Sequence, residues 1–108
     1  MRVQLDPVHA SPAMRAMPPQ PKKVMRAALS KLGQDPSGTT DGLDVKRLEA
    51  PGRLVVYRLR AGDWRAAFIV EKDRIRVVKV FHRREGYGWL ARLDAAVNED
   101  IAWAKRRA

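Results

Sequence analysis

Arginine is the residue type whose number and placement point to chemistry. Arg58, Arg60, Arg65 and Arg76 recur through three apolar segments, and Arg83 and Arg84 follow His82 directly. A guanidinium is a planar fork that donates two hydrogen bonds at once, a geometry matched to phosphate oxygens. Several on one surface repel one another until an anion visits. Such a cluster suits the holding of a phosphodiester and the stabilisation of charge building on it. The other reading is a solvated polar face, common on the outer side of an antiparallel sheet. His82 brings an imidazole, the side chain that titrates nearest neutral pH, or is a polar residue closing a strand. Tyr87 can stack on a splayed base or orient a hydroxyl, or can pack at the start of a final helix.

These residues need elements to position them. Residues 53–60 (RLVVYRLR), 64–70 (WRAAFIV) and 74–81 (RIRVVKVF) read as strands, separated by Ala61-Gly62-Asp63 and Glu71-Lys72-Asp73. Connections this short favour an antiparallel meander. With two-residue loops at Gly62-Asp63 and Lys72-Asp73, Arg60 falls opposite Arg65, Arg58 opposite Ala67, and Val80 opposite Arg65 on the next strand. Side chains alternate between faces. One face then collects Val55, Tyr57, Leu59, Trp64, Ala66, Phe68, Val70, Ile75, Val77 and Phe81, with Lys79 as its one misfit. The other collects Arg58, Arg60, Arg65, Arg76 and His82, with Val56, Ala67, Ile69, Val78 and Val80 between them. A one-residue slip would reverse the faces and put the large apolar residues in water.

Upstream, residues 2–5 alternate as a short strand. Asp6-Pro7 or Ser11-Pro12 starts a short helix ending near Met17, and Pro18, Pro19 and Pro21 break the chain. Residues 22–32 form a stronger helix with Met25, Leu29 and Leu32 on one side, stopped by Gly33. The two segments form a helical hairpin covering the sheet. Residues 34–44 read as a loop. Leu90, Leu93, Val97 and Ile101 repeat at helical spacing, and Lys105, Arg106 and Arg107 suit a helix C-terminus. Trp64 and Phe68 are core residues in this reading. Trp89 and Trp103 lie on or near the last helix, where they pack on the core, cover the sheet edge, or meet a partner.

The bulk numbers fit one domain. The chain has 108 residues, 45% of them hydrophobic, and 22 Lys and Arg against 12 Asp and Glu give a net charge of +10. That balance points to a polyanionic partner or an acidic protein, unless the excess only solvates a face. No Cys is present and the two histidines, His9 and His82, are far apart, so no metal site and no cofactor are expected. No apolar run approaches the ~18 residues of a membrane span, and the first residues lack the apolar stretch of a signal peptide. The expectation is a cytoplasmic protein with no membrane partner.

At this point the sequence resembles a family. DVKRL at 44–48, YRLRAGDWR at 57–65 and HRREGY at 82–87, in this order and spacing, resemble the RelE/ParE toxin superfamily of toxin–antitoxin systems. The basic helix after the proline break, in PPQPKKVMRAALSKLGQDP, resembles that family's helical hairpin. The resemblance runs to about residue 90 and finds no match beyond it. It implies an α+β fold, an N-terminal helical hairpin packed on a small antiparallel β-sheet, here with a C-terminal helix over residues 90–108 as an extension of the single domain 1–108. It also implies a cognate antitoxin that wraps the toxin.

The RelE-like branch implies a toxin that is a ribosome-dependent, metal-independent endoribonuclease cutting mRNA in the ribosomal A site. Arg65 matches the family's mid-sheet arginine, Arg83 the arginine after the last strand, and Tyr87 the tyrosine a few residues on. Arg65 would hold the scissile phosphate and Arg83 would stabilise the leaving oxygen, with His82 in reserve as acid or base. Lys46, Arg58, Arg60, Arg76 and Arg84 would bind RNA. Arg58 and Arg60 stand where the family often has lysines, which leaves no lysine there as a general base. Two other readings stay open: a ParE-like poison of DNA gyrase, working through the last helix, and a non-catalytic module that holds an antitoxin and, through that complex, operator DNA.

Overall fold

A computed structural model describes residues 1–35, 42–49 and 55–90. Five strands form one sheet in the order β1-β5-β4-β3-β2. These are β1 (Arg2–Leu5), β2 (Asp44–Leu48), β3 (Val56–Ala61), β4 (Trp64–Val70) and β5 (Arg74–His82), with helices α1 (Ser11–Ala16) and α2 (Pro19–Gln34) between β1 and β2. The sheet is mixed, not purely antiparallel: β2 to β5 run antiparallel and β1 joins β5 in parallel. The helical link between β1 and the rest of the sheet gives the chain room to bring β1 back in that direction. The helix expected over residues 90–108 lies outside the described residues from 91 onward.

The hairpin of helices covers one face. Met14, Met17, Met25, Leu29 and Leu32 meet Leu59, Ala66, Phe68, Ile75, Val77 and Val80 in the main core, with Trp64 packed at its margin. Unbranched methionines suit this junction because they fill irregular gaps between helix and sheet. The start of α1 at Ser11 follows one of the two expected starts, with Pro12 in its first turn. Asp6 organises the turn before it: its Oδ1 accepts from the amides of Val8 and His9, both at 2.9 Å. Helix α2 begins at Pro19, three residues before the expected start, because proline is tolerated in a first turn. Gly33 does not stop it. A Cβ there would lie 2.9 Å from the Met1 carbonyl oxygen and 3.1 Å from a Val3 methyl, so glycine lets α2 approach β1 closely.

Strand β2 is not among the strands the alternation predicts: its first residue, Asp44, closes the stretch expected as a loop, and DVKRL alternates too weakly to announce an edge strand. The Gly62-Asp63 turn has the two-residue form expected, with Ala61 paired to Trp64 and Arg60 to Arg65. Gly62 has φ 63°, the positive value that the first position of a II′ hairpin turn requires.

The β4–β5 pairing departs from expectation at one point. Val70 pairs with Ile75 and Phe68 with Val77, as two-residue looping predicts, but Ala67 then pairs with Lys79 and Arg65 with Phe81. One extra residue, Val78, forms a β-bulge. Beyond it every side chain changes face. Lys79 and Phe81 join the arginine face, while Val80 and His82 turn toward the helices. The physical reason is the misfit itself: strict alternation would drive the Lys79 ammonium into the helix-covered core, and an unpaired buried charge costs far more than one lost ladder bond.

Candidate functional site: an arginine-bearing sheet face

The face opposite the helices is not merely a solvated surface. Val56, Ala67, Ile69, Val78, Phe81 and Leu90 are buried there as a second cluster, with Leu48 and Trp89 against it. The chain after β5 makes this possible. A short 3-10 turn (Arg83–Glu85) is capped by His82, and Gly86, at φ 67°, bends the backbone over the sheet. The Trp89 indole N–H then donates to the Gly86 carbonyl at 2.8 Å, and its ring lies 5.0 Å from that of Phe81. Core packing is therefore the role of Trp89 among the readings it allowed.

Beside this apolar patch the register lays out two basic rows. Lys46 pairs with Arg58, Arg58 with Ala67, and Ala67 with Lys79. One row further on, Asp44 pairs with Arg60, Arg60 with Arg65, and Arg65 with Phe81. Arg58 reaches Asp44 Oδ1 at 3.2 Å and its side chain is only 12% exposed. The Arg60 guanidinium stands 3.9 Å from the other oxygen of Asp44. One carboxylate thus serves two guanidiniums.

Arg65 is held differently. Its Nη1 donates to the carbonyls of Gly62 at 2.8 Å and Trp64 at 3.0 Å, and among the described residues no carboxylate forms an ion pair with it. Partial burial, followed by the nearby charges of Arg60 and Arg58, lowers its pKa, against smaller opposing effects of Tyr87 and Asp63. Arginine still stays protonated, and the repulsion from Arg60 and Arg58 is the part that an anion would relieve.

Arg83 is secured to the same turn. Its amide donates to the Asp63 carbonyl at 2.9 Å, and its Nε lies 3.5 Å from Asp63 Oδ1 in an exposed pair. Arg65 and Arg83 therefore rest on adjacent residues, Gly62 and Asp63. Tyr87, 44% exposed, sets its ring edge-on to Phe81 at 5.5 Å, and Phe81 is the cross-strand neighbour of Arg65.

Other expected site residues stand apart. His82 belongs to the helix side of the sheet, edge-on to Trp64 at 5.2 Å, and its Nδ1 accepts from the Arg84 amide at 3.2 Å. The bulge removes it from the arginine face, where alternation had placed it. Arg76 keeps its expected face but is committed to structure: its Nη2 lies 2.7 Å from Asp6 Oδ2, with Asp6 only 3% exposed. Arg84 is exposed on the 3-10 turn, and Lys46 is exposed on β2. Lys79 joins this face through the bulge, and its misfit on the apolar face is the sequence signal of that change. Among the described residues no three His, Asp or Glu gather to hold a metal ion, and no helix is long and apolar enough to cross a membrane.

No family model matches the chain, and no curated protein matches it. Solved structures do. The fold defined above, a five-stranded mixed sheet with a helical hairpin on one face, is that of chains found in toxin–antitoxin complexes. A chain of the archaeal RelE–RelB complex from Pyrococcus horikoshii OT3 is similar with TM-score 0.62 and 24% identity, over 79% of this chain and 97% of that one. A chain of the RelB–RelE antitoxin–toxin complex from Methanococcus jannaschii is similar with TM-score 0.60 and 21% identity, over 80% of this chain and 96% of that one. At these identities the likeness is one of fold.

Proposed function

We propose that this chain is the toxin partner of a toxin–antitoxin pair, a cytoplasmic endoribonuclease that cuts messenger RNA in the ribosomal A site and is silenced by a cognate antitoxin. The observation that carries this reading is the setting of Arg65. Its Nη1 is held by the Gly62 and Trp64 carbonyls, and it has no ion pair among the described residues. Partial burial, followed by the charges of Arg60 and Arg58, acts against its own charge, while Arg83 rests on the same Gly62-Asp63 turn. The antitoxin, and operator DNA through the complex with it, enter by analogy with the complexes of similar fold.

The reaction needs no metal. The ribose 2′-hydroxyl attacks the adjacent phosphorus and gives its proton to water, the bond to the 5′-oxygen breaks, and that oxygen takes a proton from water, leaving a 2′,3′-cyclic phosphate and a 5′-hydroxyl. Arg65 holds the scissile phosphate and stabilises the pentacovalent state. Arg83 stabilises charge on the leaving oxygen. Tyr87, exposed beside them, stacks on a splayed base or orients the 2′-hydroxyl. Guanidiniums stay protonated, and His82 faces away with its Nδ1 occupied. An enzyme so equipped relies on the ribosome to bend its substrate, and free toxin cutting naked RNA as fast as ribosome-bound RNA would overturn that dependence.

The test is induced expression followed by mapping of RNA 5′ ends. Cuts inside translated codons are expected, absent when Arg65 or Arg83 is replaced by Ala. An SOS response with intact messages would instead identify a gyrase poison.

A further inference from the structure

We propose that Lys79 is a phosphate-positioning residue of the same RNA site, delivered to it by the β-bulge at Val78. The inference rests on the proposed RNA-binding function and names a residue that alternation places among the core.

Three observations lead to it. The bulge pairs Lys79 with Ala67, so Lys79 ends a cross-strand row that begins with Lys46 and Arg58 and lies next to the row of Arg60, Arg65 and Phe81. Two strand residues separate adjacent rows, about 7 Å, a span comparable to one nucleotide step of an extended single strand. A strand whose scissile phosphate rests on Arg65 therefore carries a neighbouring phosphate over the Lys79 row. Second, Lys79 is half-buried and has no ion pair or side-chain hydrogen bond among the described residues. Arg58 and Arg76, on the same face, are both held by carboxylates. Third, the surroundings suit a lysine. Its stem can lie along the apolar patch of Ala67, Val78 and Phe81 while the ammonium stays in water. A compact charge on a flexible stem fits a phosphate whose position is less fixed than the reacting one.

The experiment is a salt titration of binding to a short fluorescently labelled single-stranded RNA, with thermal melting to confirm each variant is folded. Each phosphate contact contributes about 0.7 to the slope of log affinity against log salt. Lys79→Met and Lys79→Gln are expected to weaken binding roughly three- to tenfold at low salt and to lower that slope by about 0.7, and Lys79→Arg to restore both. Lys72→Met, which removes the same charge from the exposed β4–β5 turn, should change the slope much less. A wild-type slope in Lys79→Met, or equal effects at positions 72 and 79, overturns the assignment. Arg65→Ala separates the two levels. If it weakens binding while Lys79→Met does not, only the Lys79 assignment falls. If neither matters, the RNA site falls with it.

Discussion

Arg76 and Arg65 point to the same side of neighbouring strands, yet the two ends of that surface are built in opposite ways. At the β1 end, Arg76 is locked on the buried Asp6 carboxylate. Asp6 in turn fixes the turn before α1 through the amides of Val8 and His9, and its own amide donates to the Val77 carbonyl at 2.8 Å. At the Gly62-Asp63 end, among the described residues Arg65 is held by backbone carbonyls without an ion pair, and the charges of Arg60 and Arg58 act against its own. The first arrangement spends a charge on joining β1 and the hairpin to β5. The second leaves a charge under repulsion and accessible to an anion. A shared residue type and a shared face do not make a shared role; the counter-charge does.

The comparison is broken most forcefully at Arg76. Arg76→Ala leaves the Asp6 carboxylate buried and unpaired, and should cost about 3–5 kcal/mol of stability in denaturant unfolding. Arg65→Ala should leave stability within about 1 kcal/mol, since it loses no ion pair and relieves repulsion, while lowering cleavage of ribosome-bound message about 10²- to 10³-fold, the scale of a lost charge-stabilising donor. Comparable unfolding costs for the two variants would erase the distinction.

Acid separates the two ends next. Burial pushes the Asp6 carboxyl up, but the Arg76 hydrogen bond, the His9 and Val8 amides and the Arg76 charge together outweigh it and hold its pKa below the ordinary value. A depressed folded-state pKa stabilises the fold above the unfolded carboxylate value of ~3.9 and loses that contribution as pH falls through the folded value. The stability gap between wild type and Asp6→Asn should therefore be constant near neutral pH and shrink below about pH 4. A gap independent of pH would remove Asp6 from the acid limb. The smallest effect is expected from Arg60→Ala. The side chain is half exposed, so stability should change by no more than about 0.5 kcal/mol, but added inorganic phosphate should raise the melting temperature less than in wild type.

Much of the site was legible without coordinates. The Gly62-Asp63 turn and the alternation of YRLR and WRAAFIV placed Arg58, Arg60 and Arg65 on one face, because a two-residue hairpin turn fixes register and period two then fixes sides. Arg83 and Tyr87 came from the resemblance; in the structure Arg83 rests on Asp63, next to the Gly62 that holds Arg65, and Tyr87 packs on Phe81, the cross-strand neighbour of Arg65. His82 was misplaced for one reason: alternation carries no record of an extra residue, and everything past the bulge inverts. The burial of Val56, Ala67 and Val78 was also hidden, since it depends on the chain returning across the sheet after Gly86.

What the sequence determined by itself is local and periodic: the helix faces, four strands, one tight turn and the phase of the arginines next to it. These follow from interactions between residues a few positions apart. What only the tertiary structure decided is long-range. Asp6 and Arg76 are 70 residues apart, β1 docks in parallel on β5, and the bulge at Val78 settles which side Lys79, Phe81 and His82 occupy. Each is a choice between packings of nearly equal local cost, made by where a charge finds a partner or water and where an apolar ring finds cover.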